Sequence, residues 1–196
     1  NELKPNWESP WTFLPNLRLD YVGWTKEKLL QPRLALNYKW DSATSLRLAT
    51  GVYNQPPTAQ QVDDTFGNPA VTSERALHLS AGGEREISPG WTVTTGVFYK
   101  KLDNLVIRSN RRLERNGVWV AENYNNQGIG RIHGLELQQK WNLQPWTLIG
   151  AYTYSQSFRQ SPGEPEFPTA QDQTHNLNLM ASYESQKWLF SGRGRY

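Results

Sequence analysis

Three aromatic pairs, Trp91 with Tyr99, Trp146 with Tyr154 and Trp188 with Tyr196, are each separated by eight residues and stand at opposite ends of a segment that alternates apolar and polar side chains. Eight is an even step, so in an extended strand both rings of a pair point to one face. At about 3.3 Å per residue the two rings lie roughly 26 Å apart along the strand, or about 20 Å once the strand tilts near 40°. Barrels of the outer membrane carry an outward apolar band close to that height, rimmed above and below by aromatic rings. The spacing points to strands that cross a membrane.

Bulk composition alone suggests an ordinary soluble chain, with a mean hydropathy of −0.73 and 37% hydrophobic residues. No apolar run approaches the roughly 18 to 20 residues of a spanning helix, so the helical membrane class is excluded. A barrel wall is not subject to that test, because every second residue faces a polar lumen and averages the lipid-facing ones away. Nine Trp and nine Tyr in 196 residues agree with aromatic rims rather than with a soluble core. Cys is absent, which removes disulfides and thiolate metal sites. The net charge is only +3, with Lys and Arg scattered along the chain, and this weakens any reading as a nucleic-acid binder. Asn1 to Pro10 read as mid-protein sequence rather than as a signal peptide, and we expect the chain to be part of something longer.

Period-two alternation predicts about nine strands. They run near Asn16–Trp24, Pro32–Trp40, Ser45–Asn54, Arg75–Ile87, from Trp91 through Lys100, Asn126–Trp141, Trp146–Phe158, His175–Tyr183 and Trp188–Tyr196. The second is the cleanest, with Leu34, Leu36, Tyr38 and Trp40 on one side and Arg33, Asn37 and Lys39 on the other. Connections alternate between short ones (Asp41–Thr44, Ser88–Gly90, Asn142–Pro145, Glu184–Lys187) and long ones (Gln55–Glu74, Ser109–Tyr124, Arg159–Thr174). Short periplasmic turns and long external loops give outer-membrane barrels this asymmetry. Tyr38, Trp40, Trp91, Trp141, Trp146, Tyr183 and Trp188 all flank the short turns, which places them at one rim. The expected fold is therefore all-β, an antiparallel up-and-down transmembrane β-barrel segment. Its inner face mixes Arg18, Asp20, Arg33, Arg47, Glu84, Glu86, Lys100, Glu136, Lys140, Arg193 and Arg195. Burying so many charges in a small closed core would cost several kcal/mol each. A wide lumen that holds water or a plug removes that cost.

Certain motifs resemble a known family. Pro32-Arg33-Leu34-Ala35-Leu36, Gln55-Pro56-Pro57, Gly67-Asn68-Pro69 and Ser73-Glu74-Arg75 occur in order, followed by Phe98-Tyr99-Lys100, Asp103-Asn104-Leu105, Asn123, Gly134-Leu135-Glu136-Leu137 and His175-Asn176-Leu177. In order and spacing they resemble the middle and later strands of the β-barrel of TonB-dependent outer-membrane receptors, from about Leu14 onward. Against the family's barrel of about 22 strands, the resemblance implies roughly strands 11 to 19. The family's plug domain, its TonB-binding segment and the remaining strands have no counterpart in these residues, so one partial barrel domain spanning 1–196 is expected. The function that the resemblance implies is import, across the bacterial outer membrane, of a scarce ligand such as a ferric siderophore or corrinoid. Capture by loops would be followed by TonB acting on a plug. The implied partners are outer-membrane lipid and lipopolysaccharide, the TonB system through a plug, and a small ligand such as a metal chelate, with no nucleic acid. A passive or structural outer-membrane β-protein is the alternative, and a soluble β-sandwich module is a third reading.

External loops on a rigid wall are where binding residues are expected. The segment with Arg108, Arg111, Arg112, Arg115, Trp119 and Tyr124 offers guanidinium forks for an anionic ligand and aromatic faces for packing. The same residues suit a solvated loop, or one that meets lipopolysaccharide phosphates. Segment 161–168, with three prolines and two glutamates, reads as a stiff solvated loop. No catalytic residue, metal site or cofactor is expected. His78, His133 and His175 lack zinc spacing, Asp63-Asp64 suit a loop or helix start, and Glu84 and Glu86 suit a screened pair beside Arg47 or Lys100. Gly128, Gly130 and Gly134 form no phosphate loop.

Overall fold

The computed structural model describes residues 9–115, 117–170 and 172–196. The aromatic-rich alternating segments form β1 (Trp11–Val22), β2 (Glu27–Lys39), β3 (Thr44–Gln55), β4 (Glu74–Ser88), β5 (Trp91–Arg115), β6 (Val118–Leu143), β7 (Trp146–Gln160), a two-residue β8 (Phe167–Pro168), β9 (His175–Glu184) and β10 (Leu189–Arg195), with a one-turn helix α1 (Ala59–Val62) between β3 and β4. All pairings are antiparallel, and each strand lies beside the next in one sheet ordered β1 to β7, then β9 and β10; β8 pairs only with the upper part of β7. Among the described residues no helix is long and apolar enough to cross a membrane.

Register shows why the sheet has two chemistries. Directly opposed residues point to the same side. One such row runs Phe13, Leu36, Leu48, Ala81, Val97, Leu135 and Tyr154 across seven strands. The neighbouring row, one residue along, runs Thr12, Asn37, Arg47, Gly82, Gly96, Glu136, Thr153 and Asn176. A slip of one residue anywhere would mix the two faces, and below residue 102 of β5 the register shifts only near Glu86 and Ser88, at a turn. Leu48 and Val97 stay 54% and 57% exposed, so no second protein layer covers the apolar face among the described residues. The faces expected from alternation are the faces observed.

Aromatic rings collect at the short-turn end. Trp11 lies 4.3 Å from Tyr38, Trp91 stacks on Trp141 at 5.9 Å, Trp146 meets Tyr183 edge-on at 4.9 Å, and Trp188 stacks on Phe190 at 6.0 Å. Close packing is possible at Gly134, where an added Cβ would lie 2.7 Å from the Phe98 ring. Val22, Gln31, Asn68, Val71, Ser73, Leu105 and Val106 are buried at the opposite end, where loop 56–73 folds against β2, β5 and β6.

Three expectations about connections change. The β1–β2 link is a tight turn over Gly23–Lys26, because β2 begins at Glu27, well before the Pro32 start that the sequence pattern suggested, and Lys26 adopts φ 56°. Ser109–Tyr124, read as a loop, is the outer half of a β-hairpin: β5 and β6 continue to the pair Arg115–Val118, and Gly117 supplies φ 77° beside it. In the Pro-rich stretch, Phe167 and Pro168 pair with Arg159 and Phe158.

Candidate functional site

The hairpin rises from the wall because backbone pairing continues where the apolar alternation stops. Register shifts between Leu102 and Leu105, Leu105 and Ile107, and Ser109 and Arg112 mark bulges, which bend a strand and sharpen its twist. Asn104 and Asn123 sit at φ 56° and 60°, a left-handed conformation that Asn tolerates better than most residues.

Loop 56–73 braces this hairpin. Its start is fixed by α1, where the Thr58 N–H donates to Gln61 Oε1 at 2.7 Å. Asp63 ends the turn by accepting from the N–H groups of Thr65 and Phe66, both at 2.8 Å, and these bonds hold its carboxyl below the usual range. Asp63 is thus a turn residue, as its position beside Asp64 allowed. The loop's end is clamped to the wall: the Ser73 N–H and hydroxyl both donate to Glu27, and the Val106 N–H donates to Glu74 Oε1 at 2.9 Å. Asn126 completes the clamp, donating to the Thr72 and Asn104 carbonyls at 2.9 Å and accepting from the Thr72 N–H at 2.7 Å. Asn68, 4% exposed, donates through Nδ2 to the Tyr124 carbonyl and accepts from Arg115 Nη2 through Oδ1, both at 2.7 Å.

Arg111, Arg112, Arg115, Trp119 and Tyr124 therefore share one hairpin, on strands rather than in an irregular loop. Arg111 and Arg115 lie near Glu122, whose carboxylate accepts from the Ser109 hydroxyl and, at 3.0 Å, from Asn125 Nδ2. Those two hydrogen bonds, helped by the two guanidinium groups, hold the Glu122 carboxyl below the usual range. Arg112 donates to the Trp119 carbonyl at 3.1 Å, leaving the indole 60% exposed. Tyr124 takes part through its backbone carbonyl. The arginines are strung along an exposed hairpin, with Asn68 and Glu122 as partners that the sequence pattern did not single out. The Gly67-Asn68-Pro69 motif was the one available signal for Asn68.

The inner wall below carries a second polar array. Arg18 and Asp20 pair at 2.8 Å, Gln31 donates to Asp20 at 2.5 Å, and Arg33 lies 4.2 Å over the Tyr53 ring, which stacks on His78 at 4.2 Å. Gly51 leaves room for this: a Cβ there would lie 2.9 Å from Arg33 Cγ. Lys100 lies over Phe98 at 5.6 Å, beside a hollow of about 270 Å³ that Tyr53, His78 and Glu136 also line. A larger inner hollow, about 540 Å³, is bordered by Asn37, Arg47, Glu84, Thr94 and Glu136. Arg47 gives Nε to Asn37 at 2.9 Å, and Glu84 accepts from the Thr94 hydroxyl at 3.2 Å, so the expected screening of Glu84 by Arg47 is not a direct contact. An apolar hollow, about 620 Å³, lies on the outer face between Leu34, Leu36, Leu48, Leu79, Val97 and Tyr99. An unroofed groove on the leucine face suits acyl chains better than a polar ligand.

The remaining candidates have local explanations. His175 Nδ1 shares a hydrogen bond with the Tyr152 hydroxyl at 2.8 Å, and His133 stacks on Phe158 at 6.3 Å. Glu166 forms a two-pronged pair with Arg131 at 2.7 and 2.9 Å, so this part of the Pro-rich segment is tied to the wall. Among the described residues no group of three or more His, Cys, Asp or Glu gathers as metal ligands would.

Residues 2–196 match the family model described as TonB dependent receptor-like, beta-barrel. Among solved structures, a ferric enterobactin receptor mutant from Pseudomonas aeruginosa in complex with enterobactin superposes with a TM-score of 0.72 at 15% identity, covering 95% of this chain and 29% of that one. The outer membrane transporter YddB from Escherichia coli gives 0.69 at 12% identity, covering 91% and 29%. The siderophore receptor PirA from Pseudomonas aeruginosa gives 0.63 at 14% identity, covering 95% and 41%. No curated protein matches in sequence. At such identities the structural likeness speaks for the fold, and the chain spans well under half the length of each of these structures. The match along the whole wall, together with a leucine face, a charged face and an aromatic rim, leads to one assignment: the chain belongs to the TonB-dependent receptor-like β-barrel family.

Proposed function

We propose that these residues form part of the wall and external surface of an energy-coupled receptor in the bacterial outer membrane, which imports a scarce metal chelate such as a ferric siderophore or a corrinoid. The observation that carries this reading is the braced hairpin. A cationic and aromatic surface built from Arg111, Arg112, Arg115, Trp119 and Tyr124 stands beyond the wall on the long-loop side, above an inner face of mixed charge. Guanidinium forks recognise carboxylates and similar planar oxyanions, and indole faces pack on flat apolar groups. Lipid meets the leucine face, lipopolysaccharide meets the external rim, and TonB acts through a plug supplied by other parts of the protein. The names of the structural neighbours, a ferric enterobactin receptor and a siderophore receptor, favour a ferric chelate among the ligand classes.

The test is uptake by cells carrying the intact protein. Radiolabelled ferric enterobactin, a ferric hydroxamate and cobalamin serve as probes, with and without a working TonB system. The expected result is TonB-dependent accumulation of one probe, reduced severalfold by the double substitution Arg111→Ala, Arg112→Ala at equal surface abundance. Energy-independent accumulation that the double substitution leaves unchanged would favour a passive barrel and overturn the proposal.

A further inference from the structure

Asn68 touches two places on the hairpin that an extended ribbon would hold far apart. Tyr124 is the cross-strand partner of Arg108, whereas Arg115 pairs with Val118 at the hairpin's last rung. Seven residues of straight strand between Arg108 and Arg115 would separate those levels by about 23 Å. Yet one side-chain amide meets the Tyr124 carbonyl and the Arg115 guanidinium, both at 2.7 Å. The hairpin must therefore curl back onto loop 56–73, and the bulges before Ile107 and Arg112 provide the bend.

The partners at the two ends of this curl differ in kind. At the base several bonds hold: Asn126 on β6 meets Thr72 of the loop, the Val106 N–H on β5 donates to Glu74, and Glu27 on β2 holds the loop itself through Ser73. Near the tip, Arg115 meets the loop by donating to the neutral Asn68 oxygen, which also accepts the Ala70 N–H at 3.0 Å. A guanidinium bonds more strongly to an anion than to a neutral amide, because both partners are then charged and two parallel bonds can form. Arg115 is also one of the residues that the proposed function offers to an anionic ligand.

We infer that the Arg115–Asn68 contact is a latch: it keeps the hairpin curled over loop 56–73, and an oxyanion that captures Arg115 replaces the Asn68 oxygen and lets the tip swing away while the base stays clamped. Asn68 is thus a positioning residue, and Arg115 exchanges one partner for another. This inference rests on the reading of the hairpin arginines as an anion-receiving surface.

Spin labels test it in the intact protein in lipid nanodiscs. The chain has no Cys, and Phe66 (74% exposed) on the loop and Val118 (61% exposed) at the last rung accept labelled cysteines without entering the latch. The expected result without ligand is a single short-distance population, lost in favour of a longer and broader one in Arg115→Met. This variant leaves the loop's own bonds intact, which Asn68→Ala does not. Pyrophosphate, the probe anion, is expected to move the unsubstituted protein toward the long population and to leave Arg115→Met unmoved. A short distance that survives Arg115→Met overturns the latch whatever the uptake results are. A distance that pyrophosphate does not change overturns the exchange of partners. Failure of the uptake experiment alone would overturn the assigned ligand and leave these distances to stand or fall separately.

Discussion

Glu122 shows how one side chain can order a surface that its neighbours populate with like charge. Arg111 and Arg115 would repel each other along the hairpin, and the carboxylate between them, fixed by Ser109 and Asn125, offsets that repulsion. Its folded-state pKa is lowered, so the carboxylate form contributes stability that is fully present above the unfolded value of about 4.3 and is lost as the pH falls through the folded value. The group is half-buried at the surface, where nearby solvent screens it and keeps the contribution small. We expect amide hydrogen exchange in the hairpin, corrected for intrinsic rates, to be level from neutrality to about pH 5 and to quicken below it, with Glu122→Gln removing the pH dependence. Exchange that stays level down to pH 3 in the unsubstituted protein would contradict this role.

Among the elements, loop 56–73 is held mainly by side chains that lie far away in sequence. Glu27 opens β2 and receives the N–H and hydroxyl of the buried Ser73, forty-six positions on. Removing a charged acceptor from such groups costs about 1.5–3 kcal/mol, so Glu27→Ala should loosen the loop without unfolding the wall. Limited proteolysis of the folded protein should then show faster cleavage between Pro56 and Ser73, while the heat-modified mobility of the barrel persists. The same comparison explains what could be read from the sequence. Alternation is a local signal, so the facing of Leu34, Arg47 and Glu136 was legible in full. The hairpin was not, because the bulges after Leu102, before Ile107 and before Arg112 break the period while the pairing continues, and an Arg-rich stretch without alternation looks like a loop. Nor were its partners: Asn68 with Arg115, or Glu27 with Ser73, is a contact that no short window contains. What the sequence did offer there was resemblance, since Gly67-Asn68-Pro69 and Ser73-Glu74 are the residues that brace the loop.

The sheet as a whole has one wet side and one apolar side. Leu46 and Ser45 are adjacent on β3 and face opposite ways: Leu46 opposes Tyr38 and Gly83, while Ser45 opposes Lys39 and Glu84. Leu46 stands across from the rim ring Tyr38, and two strands on its row reaches Thr95, midway between Trp91 and Tyr99, so Leu46 lies inside the apolar band on its short-turn side. A cation on the lipid face of a barrel costs about 2–4 kcal/mol at mid-bilayer and about 0–1 kcal/mol at the interface, with Leu46 between these depths, whereas on the lumen side it meets water and, here, the Glu84 carboxylate. Leu46→Arg should therefore lower the denaturant midpoint of the intact protein refolded into lipid vesicles, and Ser45→Arg, one residue away, should leave it nearly unchanged. A soluble layered β-protein would rank the two substitutions the same way, its leucine face being packed on protein, so the refolding is run with and without vesicles: the membrane wall recovers its sheet only with lipid, whereas a soluble layered protein recovers it without. Equal tolerance of both substitutions, or greater damage from Ser45→Arg, would show that acyl chains do not cover the leucine face.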